Sequence, residues 1–321
     1  MTNAKILLSV AAVGAALICP ACGPDDPTYN VNLDATDNAS TEIPYYPTKP
    51  PSDENPADGF APAGYKLVWS DEFSDRSSLA RNWYFEEGAT GWGNNELQYY
   101  CPGGVYAANG QRTAEVVDGE LHITAYKVTP SEASQNASYV STRMNTTRGW
   151  KYGYVEMRAK LPKEGGTWPA FWMLLKDGPS WVGDGGGELD IMEWVGNEPE
   201  KVHFSCHSKN VTAGTGNFYT DPADGQKYSY SKGTEITNPS DDYHCFGMEW
   251  THEYIKGYLD GVEYYYAPNP IPSATDVAWW PFDQEYYIKL NLAIGGSWGG
   301  TVDPAFTSAT FAVDWVRVYQ K

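Results

Sequence analysis

The sequence predicts an all-β protein, a sandwich of two antiparallel sheets. Three observations carry that expectation. Short runs of alternating apolar and polar residues recur from Tyr65 to the C-terminus, and Gly, Asp, Asn or Pro bounds each run. No stretch of a dozen residues repeats apolar side chains at helical spacing. Many short strands without a second break in composition fit one two-sheet domain.

In chain order, Met1 to about Ala21 holds a single lysine, Lys5, and an apolar run from Ile6 to Ile18. That run is too short to span a bilayer comfortably and reads as a secretory signal over residues 1–21. Ala21 before Cys22 resembles a bacterial lipoprotein cleavage site, with Cys22 as the lipidated N-terminus. The following Gly23-Pro24-Asp25-Asp26 is similar to the acidic tag of lipoproteins sent to the Gram-negative cell surface. This implies a lipid-anchored protein of the outer membrane; a plain secretory signal is the alternative. Residues 22–62 are rich in Pro, Asp, Asn, Ser and Thr and read as a flexible spacer, followed by a single domain over 63–321.

Within that domain, Lys66–Trp69, Glu120–Ala125, Gly153–Leu161 and Tyr254–Gly261 alternate as strands. Asp118-Gly119 and Asp260-Gly261 are hairpin-type turns. Three cysteines follow the signal. Cys206 and Cys245 sit in strand candidates and could bridge across the sheet with Cys101 left over, or all three could be buried thiols.

The stretch with the clearest chemistry is Gly186-Gly187-Glu188-Leu189-Asp190-Ile191-Met192-Glu193-Trp194. On a helix, at about 100° per residue, the three carboxylates would point near ~0°, ~200° and ~140° and would not converge. On a regular strand Glu188 and Asp190 share a face and Glu193 falls on the other. One extra residue at Ile191-Met192, a β-bulge, restores the phase and places all three acids together. Acids crowded in this way repel one another. Glycoside hydrolysis uses such repulsion, because one carboxylate must stay ionised while another holds a proton near neutral pH. A solvated strand face or a metal site would use the same residue types.

The formal net charge of −19 argues against nucleic acid as a partner, since binding it needs a basic face, and more weakly against a heavily sulfated polysaccharide. Aromatic residues make up 15% of the chain, with 13 Trp and 24 Tyr. Sugar rings stack on such faces, so a neutral glycan fits better.

With the acid strand placed in a β-sandwich, the chain resembles the family-16 glycoside hydrolases, in their laminarinase-like branch. The blocks that carry the resemblance begin with Trp69-Ser70-Asp71-Glu72-Phe73 and Gly93-Asn94-Asn95-Glu96-Leu97-Gln98-Tyr99-Tyr100. Tyr152–Pro162 and Trp168-Pro169-Ala170-Phe171-Trp172-Met173-Leu174 come before the acid strand. After it come His244–Trp250, Leu290–Trp298 and Val313–Tyr319. Nearly all of Tyr65 to Tyr319 is covered.

The resemblance implies a β-jelly roll with a sugar cleft along its concave sheet. It implies Glu188 as nucleophile, Asp190 as helper carboxylate and Glu193 as general acid/base, with no cofactor in the reaction. Trp168 and Trp172 are expected as stacking platforms. Asn95, Arg143 and His207 are expected as polar contacts near the cleaved bond, and Trp298 as a further subsite wall, with Glu96 and Gln98 as weaker candidates. A structural calcium on the convex face would use Gly119 and Asp314. The implied activity is a monomeric, retaining endo-β-glycanase acting on β-1,3 or mixed β-1,3/1,4-glucan. Two alternatives stay open: an endo-β-1,4-galactosidase acting on poly-N-acetyllactosamine of mucin-type O-glycans, and a non-catalytic glycan-binding surface lipoprotein.

Overall fold

The computed structural model describes residues 55–178, 186–208, 219–220, 225, 227–270 and 280–321. The expected signal, Cys22 and the spacer up to residue 54 lie outside the described residues. The chain forms the expected jelly-roll sandwich of two large sheets. One is seven-stranded, in the order Ser231–Glu235, Lys201–His207, Glu188–Trp194, Thr167–Leu175, Tyr286–Ile294, Arg143–Trp150 and Trp83–Phe85. The other is ten-stranded, with Gly153–Lys160 and the long C-terminal strand Ser308–Gln320 at its centre. Pairing is antiparallel within both, apart from a short parallel contact of Gln98–Tyr100 with Tyr139–Ser141. The described α-helices are Ser77–Asn82 and Gly296–Gly299, in keeping with the missing helical periodicity.

Alternation along each strand sorts side chains between the core and the outer face. On Tyr286–Ile294, the residues Tyr286, Ile288, Leu290, Leu292 and Ile294 are fully buried in the main core. Tyr287, Lys289, Asn291 and Ala293 therefore point the other way. Thr167–Leu175 repeats the pattern, with Phe171, Met173 and Leu175 in the core. The seven-stranded sheet thus offers one apolar face to the sandwich and one mixed face to a cleft.

Both expected hairpin turns form. Asp118 and Gly119 have φ of 52° and 86°, and Asp260 and Gly261 have φ of 49° and 75°. Two successive positive φ values match the right-handed twist of the strands they join.

Ordered contacts begin earlier than residue 63. Asn55 donates to the Tyr65 carbonyl and accepts from the Leu67 amide, at 2.7 and 3.1 Å. Asp58 is paired with Arg317, and the Phe60 amide donates to Glu156. Polar side chains fasten this segment, which a count of apolar residues does not detect.

The possible Cys206–Cys245 bridge does not form. Cys101, Cys206 and Cys245 are free and buried. Cys206 points into the main core. On His244–Trp250 the core positions are Phe246, Met248 and Trp250, so Cys245 faces away from Cys206. Dithiothreitol should therefore leave the melting temperature unchanged. A drop of several degrees on reduction would contradict the three free thiols.

Candidate active site

Strand Glu188–Trp194 lies between Thr167–Leu175 and Lys201–His207. Across the first, Phe171 faces Met192 and Trp172 faces Asp190, so Ile191 has no partner. Across the second, Asp190 faces Ser205 and Glu193 faces His203, with the register shifted between them. This is the bulge that the acid spacing requires. Ile191 and Met192 are both buried in the main core, and Glu188, Asp190 and Glu193 line one cleft of about 370 Å³. Gly187 precedes them because a Cβ there would lie 2.5 Å from the Tyr286 hydroxyl and 2.6 Å from Pro281.

The acids sit in graded surroundings. Asp190 is only 3% exposed, and burial pushes its carboxyl up to about 8. Its Oδ2 lies 3.1 Å from His207 Nε2, in a geometry that falls short of a hydrogen bond. Burial, with repulsion from Asp190 and Glu188, raises the Glu193 carboxyl well above the ordinary range. The Trp168 indole N–H donates to Glu193 Oε1 at 3.1 Å and only partly offsets that rise. Glu188, Asp190 and His207 bring one ligand atom each within 4.8 Å of one another, so these three could hold a cation.

The expected cleft residues divide into two groups. Trp168, Trp172 and Arg143 line the cleft beside the acids. Trp172 donates its indole N–H to Asn291 Oδ1 at 2.7 Å. The Arg143 guanidinium lies 4.6 Å from the Trp92 ring centre and 4.8 Å from that of Trp172. Trp298 packs edge-on behind Trp168 at 5.4 Å and against His203 at 5.0 Å. Asn95 is exposed and donates to Ser297, while its neighbours Asn94 and Glu96 line the cleft. The reason is local: Asn95 has φ of 56°, a left-handed turn that breaks strand alternation. Glu96 accepts from Gln98 at 2.7 Å and from Tyr100 at 3.0 Å, which gives Gln98 a supporting place.

Sequence reasoning missed Trp92, and it missed Glu86 and Lys289 beneath Arg143 and Trp172. Trp92, within Gly91-Trp92-Gly93, was the one with a visible signal, an aromatic in a glycine turn. At the expected calcium position, the Asp314 carboxylate is paired with the Arg158 guanidinium, and Gly119 completes the Asp118-Gly119 turn. A calcium ion on Asp314 would have to displace that cation, so the arrangement does not fit one.

Crowded carboxylates with indole rings beside them, on one face of a β-sandwich, define the glycoside hydrolase class. Residues 104–317 match the family described as Glycosyl hydrolases family 16. A β-glucanase of Rhodothermus marinus is 39% identical over 272 residues, covering 80% of this chain and 85% of the relative. The solved structure of a laminarinase from Rhodothermus marinus superposes with a TM-score of 0.65 at 36% identity, covering 80% of this chain and 97% of that one. A keratan-sulfate endo-1,4-β-galactosidase of Sphingobacterium multivorum is 31% identical over 264 residues, covering 81% of this chain and 56% of the relative. The chain belongs to glycoside hydrolase family 16 and is a glycoside hydrolase of the laminarinase-like branch.

Asp190 gives a stability prediction. A carboxyl with a folded pKa above its unfolded value binds more protons folded than unfolded. Stability therefore falls as pH rises from about 4, the unfolded value, to about 8. Asp190→Asn escapes that loss. In thermal melts it should match wild type near pH ~4 and exceed it by at least about 1 kcal/mol at pH ~8. A difference that does not vary with pH would refute the buried, proton-holding carboxyl.

Proposed function

We propose that the protein is an endo-acting, retaining β-glucanase that hydrolyses β-1,3 or mixed β-1,3/1,4-glucan by double displacement. The observation that carries this reading is the bulge at Ile191, with Glu188, Asp190 and Glu193 in one cleft beside Trp168 and Trp172. The choice of glucan is supported by the β-glucanase relative, at 39% identity against 31% for the galactosidase.

In this reading Glu188, ionised, attacks the anomeric carbon from one side of the sugar plane. Glu193 has its proton held first by burial and further by the neighbouring acids, and it delivers that proton to the departing glycosidic oxygen. A glycosyl ester on Glu188 results. Glu193, now a carboxylate, removes a proton from water, which attacks the same carbon and frees Glu188. Asp190 responds to the changing charge on Glu188, with His207 Nε2 at 3.1 Å to balance it. Trp172 and Arg143 form the wall along which the sugar chain lies.

The same proposal places the enzyme outside the cell. Residues 1–21 direct export, Cys22 carries the lipid, and the polar stretch up to Asn55 holds the domain away from the membrane. Labelled palmitate incorporated into wild type and lost in Cys22→Ala would support it.

Chromatography of digests of laminarin, lichenan, mucin O-glycans and agarose is expected to show oligosaccharides from the two glucans alone. Release from mucin glycans alone would favour the galactosidase. Glu188→Ala and Glu193→Ala should each lower kcat on laminarin by at least about 10²-fold. With an activated aryl β-glycoside and azide, Glu188→Ala should give the α-azide and Glu193→Ala the β-azide. The reverse stereochemistry would exchange the two roles.

A further inference from the structure

We propose that Lys289 is a positioning residue: acting through Glu86, it fixes the Arg143–Trp172 wall of the cleft. The inference rests on the reading of that wall as a sugar platform, and it concerns a residue that the reaction itself does not use.

Lys289 lies on the cleft side of Tyr286–Ile294, between Tyr287 and Asn291 and opposite Trp172 in register. It is fully buried, yet it ends in a titratable amine. Packing alone would place an apolar side chain here, because burying a charge is costly unless it is paired and hydrogen-bonded. The pairing is extensive. Lys289 Nζ bonds Glu86 Oε1, and Asn145 Nδ2 donates to the same oxygen at 2.6 Å. The Arg143 Nε lies against Oε2, the other oxygen. One carboxylate thus joins the cations of two adjacent strands.

What this arrangement holds in place is Trp172. Its ring centre is 5.1 Å from Lys289 Nζ and 4.8 Å from the Arg143 guanidinium carbon, and its N–H is taken by Asn291. The rest of the ring faces the cleft. A ring fixed beforehand spares the substrate the entropy of ordering it. Lys289 itself has no exposed surface with which to touch a sugar, so any effect on binding passes through Arg143 and Trp172.

The charges agree with this geometry. Burial would raise the Glu86 carboxyl, but Lys289 and Arg143 bring it down to about 2. Burial and the Arg143 charge push the Lys289 ammonium down to about 7 against the pull of Glu86. Glu86 is divided between two cations, and Lys289 contributes more than Arg143 to lowering it.

The test is a double-mutant cycle of Lys289→Met and Trp172→Ala, read as kcat and KM on β-1,3-linked glucose oligosaccharides of increasing length. Lys289→Met should raise KM about tenfold on the longer oligosaccharides and leave kcat within about twofold. In the Trp172→Ala background it should add less than about twofold. Glu86→Gln, which also releases both cations, should reproduce the KM rise and decides the matter if Lys289→Met does not fold. An effect of Lys289→Met of equal size with and without Trp172, or a loss confined to kcat, would overturn the proposal. So would a wild-type KM in Glu86→Gln. Wild-type protein that hydrolyses no glucan would overturn the functional reading instead.

Discussion

The site depends on one unpaired residue. Ile191 adds a position to a central strand whose two neighbours do not add one, and the phase of everything after it is inverted. Without that insertion Glu193 would enter a core built from Leu189, Met192 and Trp194. An ionised carboxylate there would face apolar side chains, which is far costlier than an exposed one. The bulge sits between two antiparallel partners, so neither side of the strand can slip to remove it. The sheet therefore fixes the acids as a set and does not leave them to side-chain choice.

That fixed placement makes charge the governing quantity on the cleft face. Burial raises Asp190 and Glu193, and mutual repulsion raises Glu193 further. Two and three strands away, Lys289 and Arg143 are crowded in the opposite sense and share Glu86. The acid cluster and the cation cluster are separated by Trp172, which lies over the cations and lines the cleft with the acids. An indole suits this place. Its face attracts cations, and its N–H satisfies Asn291 without adding charge.

How much of this was legible depends on whether the signal was local. The bulge was legible because three acids at fixed spacing have one strand phase that unites them. The hairpins at Asp118-Gly119 and Asp260-Gly261 were legible because their residue types tolerate positive φ. The orientation of Asn95 was not legible because a left-handed residue inside a polar loop leaves no alternation to follow. Cys245 was offered as a partner for Cys206 on strand membership alone, and alternation on its strand turns it away from the core. The Glu86–Lys289 pair had no local signal, since its members are 203 residues apart and meet only after Arg143–Trp150 joins their strands.

The cleft face keeps two groups that isolated strands would not keep: a lysine without exposure, and at Asp190 a carboxylic acid at 3% exposure with one oxygen lacking a hydrogen bond. Each costs stability, and beside them the cleft face buries only a small apolar cluster around Trp168, Val195 and Ala293. The offset comes from the opposite face of the same strands, where Phe171, Met173, Leu189, Ile191, Met192, Ile288 and Leu290 are packed in the core. Each such side chain contributes on the order of 1.5–3 kcal/mol when fully buried. A strand in a two-sheet sandwich can thus be chosen for stability on one side and for chemistry on the other. The alternation that separates the two sets also ties them together: shifting the register to relieve the acids would expose the core.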